Sequence, residues 1–169
     1  MGRTETTTLW MIEDLEPWPD EPGVGQVCAP ATRWITPDMV NLPVELVCSI
    51  SARVEEIETD AGGERRAHLG HGFSTMLPPG LDLTGDTTLT GCLIWDRYLW
   101  MDYRAQPAGR ALVTDRRPVI QRAVRTPTEY VSWHSVEYQG PRTVHRDGPI
   151  PDGYSVVAYV LAVTLQGQA

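Results

Sequence analysis

Alternation of apolar and polar residues with a period of two is the dominant pattern along this chain. It is clearest in residues 44–54, where every second side chain is apolar or small. That row consists of Val44, Leu46, Cys48, Ile50, Ala52 and Val54. Successive side chains of a β-strand point to opposite faces, so this segment is predicted to be a strand with one face on a core. A Gly-rich turn signal follows at residues 60–63, and residues 65–77 alternate again. Residues 43–77 are therefore predicted to form a hairpin.

Further strands are predicted at residues 6–12, 24–35, 87–103, 110–114, 119–125 and 128–138. The last strand, residues 154–165, differs because both of its faces are apolar. This is typical of a central strand that is covered on both sides. A C-terminal helix is the rival interpretation of that segment. The many valines and the preceding Pro151-Asp152-Gly153 turn favour a strand.

The same pattern contains no helical apolar stripe of ten or more residues and no internal repeat. Gly and Pro together reach about 17% of the chain, against about 12% in an average protein. The sequence therefore predicts an all-β fold, a single small barrel or sandwich of about seven to nine mostly antiparallel strands over residues 1–169. Residues 13–23, which are acidic and proline-rich, are predicted to form a loop that could be mobile.

Composition excludes several function classes. All 14 basic residues are Arg, and the chain has no Lys. Schiff-base enzymes, pyridoxal phosphate enzymes, P-loop proteins and protein kinases all need an ε-amine and are excluded. Asn and Phe occur once each, which together with the missing Lys indicates a GC-rich genome such as those of many bacteria.

The cysteines and the hydropathy pattern bear on location. Cys28, Cys48 and Cys92 are far apart and form no Cys-x-x-Cys pair. Neither a disulfide framework nor a thiolate zinc site is indicated, and we expect reduced, mostly buried thiols. No run approaches the roughly 20 apolar residues of a membrane span, and the first five residues are polar with no apolar signal region after them. We expect a cytoplasmic protein with no membrane partner.

Charge is unevenly distributed. The formal net charge is −8, and the first 60 residues hold 12 acids against three Arg. Residues 104–125, by contrast, hold six Arg, among them Arg116 and Arg117, against one acid. We expect this basic stretch to pair with the acidic half or to lie in solvent, with an anionic ligand as the alternative. Nucleic acid is disfavoured as a partner because a protein with a pI near 4.9 repels a polyanion.

The histidines His68 and His71 resemble a metal pair by their spacing. In a strand, residues three apart point to opposite faces, so the two rings cannot share a metal without a bulge at Gly70. We therefore predict that His68 is exposed, that His71 lies in the apolar row, and that the chain holds no metal and no cofactor.

Aromatic residues are concentrated at residues 95–103. In an extended strand Asp96 and Asp102 would share the face of Tyr98 and Trp100. Such a face could line a pocket for a sugar-like or cationic ligand. The two carboxylates would lie about 20 Å apart, which is too far for an acid–base pair acting on one bond.

A nucleophilic site is the last candidate for catalysis. Ser132 or Cys92 could act with His134 and Asp96, but no Gly-x-Ser-x-Gly motif accompanies them. The chain also lacks the three-glycine fingerprint of a dinucleotide site. We assign no catalytic residue.

Two function hypotheses remain. The favoured one is a non-catalytic interaction module that binds another protein, including itself as a homo-oligomer, because no candidate base has a partner that the spacing dictates. The alternative is a small-molecule-binding protein or enzyme with an aromatic-lined pocket at residues 95–103. Under both hypotheses, the predicted binding residues are Trp95, Tyr98, Trp100, Trp133, Arg116 and Arg117.

Overall fold

The fold is known from a computed structural model, which describes residues 8–14 and 22–167. The strands are β1 (Leu9–Asp14), β2 (Val27–Cys28), β3 (Thr32–Ile35), β4 (Cys48–Thr59), β5 (Gly62–Gly70), β6 (Phe73–Met76), β7 (Gly85–Trp95), β8 (Arg110–Pro127), β9 (His134–Val144) and β10 (Tyr154–Gln166). A 3₁₀ turn at Val44–Leu46 and one α-helical turn, α1 (Leu99–Asp102), complete the elements. The predicted all-β class is confirmed, since 59% of the residues are in strands and 5% are helical.

Five strands close into a barrel in the order β3-β6-β5-β4-β7. β4, β5 and β6 form an antiparallel meander, and β6 then runs parallel to β3. β7 closes the ring because it pairs antiparallel with both β3 and β4. In a closed ring each strand is paired along both edges, except where the end of a strand extends beyond the neighbouring strand.

The other strands form an outer sheet that continues from the barrel. β1 runs parallel to the end of β7, pairing Met11–Glu13 with Leu93–Trp95. β10 pairs antiparallel with β1 on one side and with β8 on the other. β2 and β9 are further antiparallel neighbours of β8. The order is therefore barrel, β1, β10, β8, and then β2 and β9.

The core lies on both faces of this continuous sheet. Leu161 and Val163 of β10 belong to the cluster that fills the barrel, whereas Ala158 and Val160 belong to a second cluster on the opposite face. The prediction of a central strand covered on both sides is confirmed for β10. β4 has its predicted inward face at Ala52 and Val54, which are buried, whereas Val44 of the same predicted row lies in the 3₁₀ turn and is exposed.

The barrel wall is tight where β3 crosses β7. Gly91 has a φ of 150°, and a Cβ added there would lie 1.9 Å from the carbonyl oxygen of Ile35 and 2.9 Å from Nε1 of Trp34. The Trp34 indole N–H donates to the carbonyl oxygen of Thr90 at 3.3 Å. Only glycine fits at this contact.

Several predicted boundaries were wrong. Residues 65–77 are two strands, because the chain turns at Gly70–Gly72. Residues 110–125 lie in the single strand β8, which runs through the predicted turn. β9 begins and ends six residues later than the predicted strand at 128–138. Of the predicted loop at 13–23, Glu13 and Asp14 belong to β1, and residues 15–21 lie outside the described part of the chain.

Candidate functional site

The most distinctive surface is a two-stranded ribbon, residues 122–144, formed by the end of β8 and by β9. Pairing of β8 with β10 ends at Arg122, whereas its pairing with β9 continues from Arg122↔Gln139 to Pro127↔His134. All side chains from residue 125 to residue 143 are exposed. Among the described strands, β9 pairs with β8 alone, so its outer edge is open.

Residues that are paired across an antiparallel ladder share a face, so the pairs of the ribbon define its two faces. These two faces differ in polarity. One face has an apolar or aromatic member in each pair: Ala123 with Tyr138, Arg125 with Val136, and Pro127 with His134. The opposite face carries Arg122 with Gln139, Val124 with Glu137, and Thr126 with Ser135. No described element covers Val136 and Tyr138 of the first face, and each of them is about half exposed.

The tip of the ribbon presents three large side chains on an ordered loop. Tyr130 is 71% exposed, Val131 104% and Trp133 70%. The loop is held by Thr128, whose backbone N–H and hydroxyl both donate to the carbonyl oxygen of Trp133. The Trp133 N–H donates to the carbonyl oxygen of Tyr130 at 3.0 Å. These bonds fix the loop before any contact is made, which lowers the entropic cost of binding.

The basic residues predicted as binding groups lie before the ribbon on β8. Arg116 stacks on the ring of Tyr159, with 4.3 Å from its guanidinium carbon to the ring centroid. Arg117 donates from Nε to Asp115 at 2.7 Å, and this bond is the main cause that holds the pKa of Asp115 below its ordinary value. Both arginines are half-buried and hold neighbours of their own chain.

The aromatic segment around Trp95 is tied to the barrel by its polar residues. Arg97 lies over the half-buried ring of Trp95, 4.3 Å from its centroid, and donates to the buried carboxylate of Glu13 at 2.7 Å. Asp96 accepts from Nε of Arg33 at 3.3 Å. These contacts anchor the segment where β7 leaves the barrel.

The predicted extended strand through residues 96–103 was wrong, because the chain forms α1 there. Leu99 and Tyr103 turn inward, and the Tyr103 hydroxyl donates to the carbonyl oxygen of Leu77 at 3.0 Å. Tyr98 and Trp100 are exposed beside this turn, together with Met101. Asp96 and Asp102 therefore do not share the face of a strand.

The structure does not bring the predicted aromatic residues to one surface. Trp95 lies in register with Glu13 of β1, which is in register with Tyr159 of β10 and then with Pro118 of β8. The end of β8 lies nine residues beyond Pro118, or about 30 Å along the strand. Trp133 is thus remote from Trp95, Tyr98 and Trp100.

The histidine and cysteine candidates are also dispersed. His68 lies 3.3 Å from Glu55, whereas His71 is exposed in the turn between β5 and β6 with a φ of 55°, so its predicted place in the core was wrong. Cys92 is buried in the barrel wall, far along the chain from the exposed His134 of the ribbon. Among residues 8–14 and 22–167 no group of three or more His, Cys, Asp or Glu is placed to hold a metal.

The thiols are protected by their surroundings. Burial is the main cause that raises the pKa of Cys28 to about 11, and it also raises the pKa of Cys48 and of Cys92. Thiols of this kind are poor nucleophiles at neutral pH.

A shallow depression with both polar and apolar lining residues lies on the barrel, between the loop after β3 and the segment that leads into β7. Its volume is about 290 Å³, and its floor is formed by Trp34, Leu81, Leu83 and Leu89. Asp38 is at its rim, and Thr88 lines it from β7. We call it the barrel depression.

Sequence reasoning found Trp133 but missed Tyr130, Val131, Val136 and Tyr138. The available signal was the low apolar content of residues 125–143, which cannot form a core face but still contains large apolar side chains. A single exposed apolar side chain is common, whereas a cluster of them indicates a binding surface.

Comparison of the chain with protein-family models, with curated proteins and with solved structures finds no match. In the described part of the chain, no helix has the length and apolar character needed to cross a membrane.

Proposed function

We propose that this protein is a non-catalytic protein-interaction module that binds its partner through the ribbon. The observation that carries the proposal is the ribbon itself. Its backbone is ordered into ladder pairs, and yet every side chain from residue 125 to residue 143 is exposed. An isolated two-stranded hairpin is marginally stable in water, so a third surface is needed to complete it.

The residue types on the ribbon support this function. Trp and Tyr are enriched at the energetic centres of protein interfaces, because they contribute a large contact area at a low entropic cost. Trp133, Tyr130 and Tyr138 supply such area on the tip and on the apolar face. The open edge of β9 adds backbone donors and acceptors that a partner strand can pair with.

The alternative, a small-molecule pocket around residues 95–103, has less support. Of the two acids that would line this pocket, Asp96 already binds Arg33, and Asp102 lies at the end of α1 rather than on a strand face shared with Asp96. Of the residues considered for a nucleophilic site, Cys92 and Asp96 lie on the barrel, whereas Ser132 and His134 lie on the ribbon. This separation supports a role without catalysis.

Photo-crosslinking in the cells of origin tests the proposal. A photoreactive phenylalanine analogue is placed at Trp133, and in a separate strain at Glu58, which is also exposed and lies on the barrel. We expect a discrete crosslinked protein from the Trp133 position and none from Glu58. Tyr138→Ser in the same chain should lower the yield of the adduct by at least tenfold.

Equal yields at the two positions, or an adduct that Tyr138→Ser leaves unchanged, would show that the ribbon is not the binding surface. The melting temperature of each variant is measured in parallel, so that unfolding is not mistaken for lost binding.

A further inference from the structure

The barrel depression combines apolar lining residues with one unpaired acid. Asp38 is the charged residue of its described lining, whereas the nearby acids Asp82 and Asp96 bind Arg65 and Arg33. Asp38 at the rim makes no salt bridge in the described structure. A hydrogen bond from the Thr36 hydroxyl is the main cause that lowers the pKa of Asp38, so it stays ionised. Exposed apolar side chains continue this surface along the adjoining loop, at Met39, Val40 and Val44.

The ribbon has the complementary character. It carries three arginines, Arg122, Arg125 and Arg142, against two acids, Glu129 and Glu137, and the salt bridges between described residues involve none of the three arginines. Arg125 lies on the apolar face, directly opposite Val136. Aromatic side chains at the tip and arginines along the ribbon match an apolar site with an acidic rim.

We propose that the partner is a second copy of this chain, whose barrel depression receives the tip of the ribbon. This inference rests on the proposed function and names the occupant of that surface. The charges support it, because the ribbon has more arginines than acids and Arg125 forms no salt bridge in the described structure, while Asp38 at the rim of the depression is also without one. Trp133 is the side chain assigned to the depression, with Arg125 directed toward the acidic rim.

The contact is of the head-to-tail kind, because it joins two different surfaces. Each copy then has one donor, the ribbon, and one acceptor, the depression. Contacts of this kind build closed rings or open filaments rather than isolated pairs.

Complementation between two deficient variants tests the contact. Trp133→Ser removes the donor, and Thr88→Arg places a cation in the acceptor; both positions are exposed. Asp38→Arg is a second acceptor variant, and Ala61→Arg, at the exposed turn after β4, is the matched control for added charge. Molar mass is measured by light scattering up to about 100 μM, where contacts with Kd values in the micromolar range are populated.

We expect a wild-type mass above that of a monomer, which rises with concentration, and an unchanged mass for Ala61→Arg. Trp133→Ser and each acceptor variant alone should be monomers, with self-association weakened at least tenfold. An equimolar mixture of Trp133→Ser and Thr88→Arg should form one dimer and stop there, because only one competent donor and one competent acceptor remain.

Each of the following outcomes would overturn the inference. The first is a wild-type monomer at every concentration, and the second is a mixture that stays monomeric. The third is association that the donor variant abolishes and both acceptor variants leave intact, which would indicate contact between two ribbons. Binding of the wild type, but not of Trp133→Ser, to anionic lipid vesicles without self-association would also overturn it. If Trp133 crosslinks to a different protein, the proposed function stands and the second copy does not.

Discussion

The strands β4 and β9 are similar in length and differ in everything around them. β4 has 12 residues, pairs with β5 and β7 on its two edges, and buries Ala52 and Val54. β9 has 11 residues, one partner among the described strands, and no fully buried side chain. The comparison shows that an ordered strand can exist at either extreme of burial. The strand without cover leaves both of its faces to another molecule.

The same contrast holds for charge. On the barrel, Arg65 bridges Glu56 and Asp82, and Arg66 bridges Glu55. On the ribbon, the arginines bind no carboxylate within the described structure. These barrel charges neutralise one another, whereas the arginines of the ribbon remain available to a partner.

The largest expected difference between the two regions comes from a matched pair of glycines. Gly91→Ala should prevent soluble folding, because its Cβ would overlap the Ile35 carbonyl at 1.9 Å. Gly140 in β9 has a φ of 74°, but a Cβ added there would meet no atom within 4 Å. Gly140→Ala should therefore cost only about 1 kcal/mol of backbone strain. The soluble yield and the melting temperature are measured for both glycine variants. A Gly91→Ala protein that melts like the wild type would contradict the tight crossing of β3 and β7.

Two tryptophans give the second test. Trp34→Ala should lose roughly 3 to 5 kcal/mol of unfolding free energy, because it empties a fully buried site. Trp133→Ala should change that free energy by less than about 0.5 kcal/mol, since the ring is exposed. Urea unfolding at low protein concentration, where self-association is absent, separates the two. A large loss for Trp133→Ala would mean that the ring is a structural residue of the ribbon.

Hydrogen exchange sharpens the comparison at the backbone. Amides of residues 158–163 in β10 should exchange only through global unfolding, because that strand is central and largely buried. Amides of residues 134–139 should exchange by local opening in dilute protein and become protected as concentration rises, if a second copy covers them. Exchange followed by mass spectrometry at two concentrations gives both values, and concentration-independent protection of β9 would oppose the second-copy contact.

The smallest effect is expected at a barrel ion pair. Hydrogen bonding from Arg66 is the main cause that lowers the pKa of Glu55 below its ordinary value of 4.5. A lowered carboxylate pKa stabilises the folded state above that ordinary value, and the contribution is lost as the pH falls through the folded pKa. Glu55→Gln should therefore destabilise at pH 7 by less than about 1 kcal/mol, since the pair is exposed.

The pH dependence of this effect is checked by melting. The difference between Glu55→Gln and the wild type should shrink as the pH falls below 4.5. Glu58→Gln, an exposed neighbour outside the salt bridges of the described structure, is the control and should behave like the wild type. A difference that grows in acid would contradict the assigned role of Arg66.

The sequence predicted those elements whose side chains divide cleanly between core and solvent. The alternation through Ala52 and Val54 follows from the single covered face of β4, and the apolar run of β10 from its two covered faces. α1 was missed because four residues are too few to show a helical stripe. The continuity of β8 was missed because Asp115 to Pro118 is typical of a turn in isolation.

The candidate site was predicted only in part, for a physical reason. Trp133 was noticed as an aromatic residue, but its isolation from Trp95 depends on how far β8 extends beyond β10. That length is set by pairing between strands distant in sequence. Residues 134–144 have no core face, so no periodic pattern fixes the limits of this strand, and the strand predicted at 128–138 begins and ends six residues too early.

The pairing of β1 with β10 also has a consequence for how the chain folds during synthesis. Leu9 pairs with Val163, so β1 emerges from the ribosome long before its antiparallel partner β10. Until then β1 has only its short parallel contact with β7. Contacts of such long sequence separation slow folding, because a large loop must close before they form. The barrel strands β3 to β7, which are contiguous in sequence, can assemble first and leave the outer sheet to form around them.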